Sequence, residues 1–269
     1  MIRMIVPCLL LLLVALVGML VDPRMITGVS AWLKPAKFAA SAAIYLFTLA
    51  YMVRDLPRTR SLRTASMLIA GIIVGETVLV SLQAARGTTS HFNINTPLDA
   101  AIFSAMGTGI AIVWVASAVL LRAHWRTPAT DRAMALALRL GLVLNIAGAG
   151  VGWTMTQPRP AQLAAMSRGD RPSQAGSHTI GAPDGGPGIP LLHWSSTHGD
   201  LRVPHFLGMH ALQLLPLLLL AVRQFRRRRG DAVERSVVLS ASVACAAIFG
   251  LALLQALAGH PFITLTASA

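Results

Sequence analysis

Three sets of side chains in this sequence could do chemistry: eight histidines, a few ionisable residues set inside apolar stretches, and the run Gly199-Asp200-Leu201-Arg202-Val203-Pro204-His205-Phe206-Leu207-Gly208-Met209-His210. Imidazole is the commonest metal ligand and titrates near neutral pH. Seven of the eight histidines (His91, His178, His193, His198, His205, His210 and His260) fall where arginine is sparse, and only His124 lies beside an arginine-rich segment. The set permits a metal site, a proton-handling site or neither. His91, His205 and His210 are the candidate metal ligands, with an acid such as Asp200 beside them, and a metal-dependent membrane hydrolase or oxidoreductase is the enzyme such a site would make. The spacing gives that reading little support. Five residues of helix rotate by about 140°, so His205 and His210 do not share a face, and no His, Asp or Glu trio has a diagnostic zinc spacing. His210 and Gln213, at i and i+3, do share one. Haem held by two histidines needs them in two facing spans, and only one span carries a histidine at any depth, which argues against haem.

Ionisable residues within a membrane span are costly and mark a pocket or a path. Glu76 lies about 12 Å deep by helical rise, with Gln83 two turns nearer the histidine-rich side on the same face. Lys34, Lys37, Ser41, Tyr45 and Thr48 recur at spacings of three and four, a polar stripe descending from that side. Asn145, Gln213 and Gln255 sit in the middle to outer parts of their own apolar runs. The pocket predicted from these residues is lined by Lys37, Glu76, Gln83, Asp200, Arg202 and Gln213, opens outward beside the histidines, and pairs Glu76 with Lys37 if the two face each other. A small molecule, an ion or a lipid headgroup would fit it, and proton-coupled transport through Glu76 is the alternative use.

Composition decides what positions these residues. Hydrophobic residues make up 55% of the 269 and charged residues 12%, with a mean hydropathy of +0.64, whereas soluble domains carry about 25% charged residues. The predicted fold is all-α: a polytopic membrane bundle of about seven helices, spanning 4–21, 35–53, 65–84, 97–121, 133–154, 204–222 and 236–258, with a long extracytoplasmic loop over 155–203. The net charge of +13 is a topology signal and not a nucleic-acid footprint. Fourteen of the 23 Lys and Arg residues lie at the N-terminus or in three short connections. Placing those inside puts the N-terminus in the cytoplasm and the C-terminus outside. The Arg226 to Arg229 run then meets anionic headgroups of the cell membrane. The first apolar stretch is long for a signal sequence and lacks a small-residue cleavage site, so it reads as an uncleaved span. Cys8 and Cys245 read as buried apolar residues.

Local signals refine this outline. Thr96-Pro97-Leu98-Asp99 reads as an N-cap, a first-turn proline and a first-turn acid. Gly71 with Gly75, and Gly148 with Gly152, are small-residue faces expected to admit a neighbouring helix. Pro216 should kink its span unless neighbours supply the lost bond. The long loop reads as a linker through about Ser173, and its second part, from Gly176, concentrates His, Asp, Trp and Arg.

Three stretches resemble an uncharacterised family of bacterial multi-pass membrane proteins: Ser30-Ala31-Trp32-Leu33-Lys34-Pro35-Ala36-Lys37-Phe38, Arg86-Gly87-Thr88-Thr89-Ser90-His91-Phe92-Asn93, and His178 through Gln213. The resemblance implies the same membrane architecture and a functional outer face, and it brings no activity or cofactor. Glycine often stands in that family where this chain has His193 and His198, which implies that a metal site is not built on those two.

Overall fold

In a computed structural model, residues 2–225 and 230–264 are described. Among them are seven helices long and apolar enough to cross a membrane. They are α1 (Ile5–Val21), α2 (Leu33–Val53), α3 (Arg60–Ala85), α4 (Pro97–Arg126), α5 (Arg132–Met155) and, after the short α6 (Pro160–Ser167), α7 (Arg202–Phe225) and α8 (Asp231–Leu257). The chain is an all-α, multi-pass membrane bundle. Its helices run up to five residues past the apolar windows, because capping residues and basic first turns extend a helix beyond the hydrocarbon it must span. Thr59 Oγ1 accepts the Leu62 amide at 3.3 Å to start α3, and Asp131 accepts the Met134 amide at 3.0 Å to start α5. Thr96 caps α4 as its sequence suggests, accepting the Asp99 amide at 3.1 Å. The Arg226 to Arg229 run lies outside the described residues.

The first span is packed with small residues inward and large ones outward. In α1 only Cys8, Ala15 and Gly18 are buried, while Leu9, Leu10, Leu13 and Leu20 stand more than half exposed. In water that pattern is ruinous. In lipid it costs nothing, and close backbone approach then supplies the packing. Gly18 shows the mechanism: a Cβ there would come within 2.5 Å of the Trp32 ring, whose Nε1 donates to Asp22 at 2.7 Å.

The most extensively packed helix pair is α5 with α7. A Cβ on Gly148 would stand 2.6 Å from the Met209 amide nitrogen, and one on Gly208 2.6 Å from the Gly148 Cα. Asn145 Nδ2 donates to the Met209 carbonyl at 2.8 Å beside this contact. Leu142, Leu212, Leu215 and Leu219 continue the seam as fully buried side chains. Gly148 therefore does what its spacing predicts, and Gly152 lies against the His205 ring. Gly71 and Gly75 do not, since a Cβ at either would meet nothing within 4 Å. α3 turns that face away from its neighbours. α7 continues through Pro216, which is buried among them.

The connections at the arginine-rich end are short, and Arg223 ties two of them together through Asp131 and Glu234. At the opposite end the chain builds a folded cap. β1 (Met25–Ile26) and β2 (Val29–Ser30) form a hairpin turned by Thr27 and Gly28, both at positive φ as a two-residue turn requires. β3 (Thr179–Ile180) pairs antiparallel with β4 (Gly199–Asp200). The stretch expected to be a linker is instead anchored by α6. Gln162 accepts the Arg159 amide at 2.8 Å and the Gly176 amide at 3.0 Å, and donates to the Gly176 carbonyl at 3.1 Å.

These contacts separate two kinds of glycine. Gly148→Ala should lower the melting temperature of the detergent-purified protein by the equivalent of about 1–3 kcal/mol of overpacking. Gly71→Ala should leave it unchanged or raise it slightly, because Ala is the better helix former.

Candidate functional site

Beneath the cap, four elements bring ionisable side chains together. Lys34 comes from the start of α2, His91 from the α3–α4 connection, His178 and Asp184 from the loop, and His205 from the first turn of α7. Lys34 Nζ lies 3.1 Å from His91 Nδ1, which Ser90 Oγ also approaches at 3.0 Å. A lysine ammonium only donates, and the serine hydroxyl can do the same, so that nitrogen accepts and the ring proton belongs on Nε2. His178 is the reverse case: its Nδ1 lies 2.6 Å from Asp184 Oδ2. A carboxylate only accepts, which places the proton on Nδ1 and leaves Nε2 a free lone pair. His205 is set the same way, its Nδ1 at 2.8 Å from the Gly148 carbonyl.

Aromatic rings wall the cluster. Phe38 tilts against His91 at 5.7 Å, and Phe92 meets His178 edge-on at 4.8 Å. Phe92 holds φ +62, unusual for a bulky residue. It is kept there by the Ala175 amide donating to its carbonyl at 2.8 Å and by the Asn93–Gln174 bridge. That bend carries the α3–α4 connection beneath the cap.

Burial sets the charge states. Desolvation holds His91 well below the usual imidazole value, with the charges of Lys34, His178 and His205 pushing the same way. Desolvation also lowers His178, against the opposing pull of Asp184. Burial would raise Asp184, yet its bond to His178 and those from the His178 amide and Ser177 outweigh it and hold the carboxyl far below the ordinary carboxylate range.

Deeper in the bundle, Glu76 is 6% exposed. Its Oε1 sits 3.3 Å from where a Cβ on Gly109 would stand, so the missing side chain on α4 makes its room. Among the described residues it forms no hydrogen bond or ion pair, and the charge that acts on it is Lys34.

Several expectations change on this geometry. Lys37 does not pair with Glu76; its Nζ donates to the Leu192 carbonyl at 3.2 Å, because the cap comes down within its reach. Lys34, one turn earlier, is the lysine of the cluster. Gln83 donates to Asp99 Oδ1 at 3.0 Å and accepts from Arg86, which also pairs with Asp99 at 2.7 Å, and so it staples α3 to α4 away from the cap cleft. Asp200 is spent on Arg202 and on the cap, while Arg202, though paired with Asp200, stands on the wall of a cleft in the cap. Asp200 has no exposed side-chain surface, pairs with Arg202 at 2.6 Å and accepts the Ser195 amide at 2.7 Å, while Arg202 Nη2 donates to the His193 carbonyl at 2.7 Å. Gln213 Nε2 reaches Thr48 Oγ1 at 3.4 Å, and its side chain also acts on His210 one turn earlier, the neighbour its spacing predicts. His91, His205 and His210 do not converge as metal ligands, and no three His, Cys, Asp or Glu side chains do so among the described residues. His91 is taken by Lys34, His205 turns to α5, and His210 stacks on Phe206 at 4.3 Å.

Open space is found in the cap. A cleft of about 260 Å³ is lined by the Thr179 to Pro187 turn, His193, Ser195, Thr197, His198 and Arg202. Sequence reasoning missed His178 and Asp184 as partners. Their six-residue separation across a turn at Gly181, φ +88, has no helical or strand periodicity to find. No protein-family model, curated protein or solved structure matches the chain.

The histidines make stability depend on pH with a definite sign. Above about pH 6.5, His91 and His178 are neutral in folded and unfolded chains alike. Below it the unfolded chain gains protons that the folded one resists, so stability falls as pH falls, by up to about 1.4 kcal/mol per unit for each histidine. Asp184, already ionised throughout this range, adds no slope. Compared from about pH 7.5 to 5.5, melting curves of His91→Gln should lose less stability on acidification than those of the wild type, a difference in which any other titrating group cancels.

Proposed function

We propose that this chain is a cell-membrane protein, with its arginine-rich end in the cytoplasm, that binds a small ligand at the capped end and exchanges a proton through Glu76 as it does so. The observation carrying this reading is Glu76: a carboxyl 6% exposed, at membrane depth, with no hydrogen bond or ion pair among the described residues. A buried ionisable group without a partner weakens a fold, and inside a membrane such groups mark proton and ligand paths. A path is at hand. Lys34, the charge acting on Glu76, contacts His91, and His91 lies within electrostatic range of His178, whose partner Asp184 lines the cleft.

The orientation rests on the fourteen arginines of the N-terminus and the three short connections, with anionic headgroups as the partner of Arg226 to Arg229. Proton exchange needs only small movements here, since the ring nitrogens left free on His178 and His205 can take a proton without breaking their Nδ1 bonds.

Infrared difference spectroscopy between about pH 5 and 8 tests the role of Glu76. The wild type should show a protonated-carboxyl band that changes with pH and is missing from Glu76→Gln, with the variant melting no lower than the wild type because an amide carries no charge to desolvate. Identical difference spectra for the two proteins would contradict the reading.

A further inference from the structure

The cleft in the cap has more hydrogen-bond donors than it can use. Asp184, the carboxylate on its wall, is saturated: Oδ1 accepts from Ser177 Oγ, from Thr179 Oγ1 and from the His178 and Thr179 amides, and Oδ2 from His178 Nδ1. Arg202 spends Nε on Asp200 and Nη2 on Asp200 and the His193 carbonyl, which leaves Nη1 without a partner among the described residues and not sealed from solvent. His193 stands at φ +55 with its Nε2 shut from solvent and, among the described residues, unpartnered, near the Gly28 turn. A buried orphan N–H is rarer than an orphan acceptor, so the ring proton belongs on Nδ1, the nitrogen beside Gly188, which is not sealed in as Nε2 is. His198 has a further ring nitrogen free, its Nδ1 being held at 2.9 Å from Thr197 Oγ1. The amides of Gly185 and Gly186, on the same wall, donate to nothing within the described residues.

The surrounding charge agrees with the donors. Lys34, Lys37 and Arg202 lie within electrostatic range of one another, against the two carboxylates Asp184 and Asp200, both fully engaged. A guanidinium edge, imidazole N–H groups and glycine amides with no acceptor of their own are the complement of a tetrahedral oxyanion.

We infer that the cap cleft is an anion site for a phosphate group, carried by a small organic phosphate or by a phospholipid headgroup, with Arg202 Nη1, His193 and His198 as its side-chain donors. The volume of about 260 Å³ leaves room beyond the phosphate for the group that bears it. This site stands apart from Glu76 and does not rest on proton exchange there.

The test titrates the full chain with inorganic phosphate and glycerol 3-phosphate in a phosphate-free detergent, read by calorimetry. In parallel, melting is compared in nanodiscs of phosphatidylglycerol and of phosphatidylcholine. His193→Gly removes the imidazole at a positive φ that glycine adopts freely. Arg202→Lys keeps a cation for Asp200 and loses the free guanidinium edge. Saturable binding of the soluble phosphates, weakened at least tenfold by His193→Gly, supports the site with a soluble ligand. Stabilisation by phosphatidylglycerol that His193→Gly abolishes supports it with a headgroup. The inference is overturned if neither probe set binds saturably, or if binding is unchanged in His193→Gly and in a folded Arg202→Lys.

Discussion

A membrane interior supplies no water, so each polar group in it must find a partner within the chain, and the arrangement of this bundle follows from that demand. Asn145 reaches a carbonyl on α7 where Gly148 and Gly208 let the two backbones meet. Gln83 and Asp99 join α3 to α4. Tested against the same demand, Glu76 fails. It packs into the space left by Gly109 with no bond or ion pair among the described residues, and Lys34 stands above it among imidazoles.

The cap is the second consequence. Two carboxylates organise it, each taking charge-assisted bonds of the stronger kind. Asp200 joins the start of α7 to the Ser195 and His193 stretch, and Asp184 gathers the backbone and side chains of Ser177 to Thr179. By fixing the loop they also fix His178 over His91 and His205, so residues far apart in the chain become one electrostatic unit. Because those acceptors are consumed in building the cap, its cleft is left with donors.

The seven spans and the opposite placement of arginine and histidine were legible because both are local properties: runs of apolar residues and the composition of short connections. The N-cap at Thr96 and the close approach at Gly148 were legible for the same reason. Helical spacing names a face but not what meets it. Gly71 and Gly75 therefore looked like a contact and face open space, and Lys37 looked like the partner of Glu76 although the cap's Leu192 carbonyl takes it. The pairing of His178 with Asp184, the Met25 to Ser30 hairpin and the anchoring of α6 depend on tertiary bonds in a segment without periodicity, which no window of sequence exposes.

At the centre of this account is a set of half-buried, neutral imidazoles whose protons are fixed by their partners. Nitrogen-15 NMR of the histidine rings in the detergent-solubilised protein near pH 7 reads that directly. The account predicts two neutral rings of opposite tautomer, His178 protonated on Nδ1 and His91 on Nε2, each assigned by the loss of its signal in His178→Gln or His91→Gln. Charged rings, or both sites averaging between tautomers as exposed imidazoles do, would contradict it.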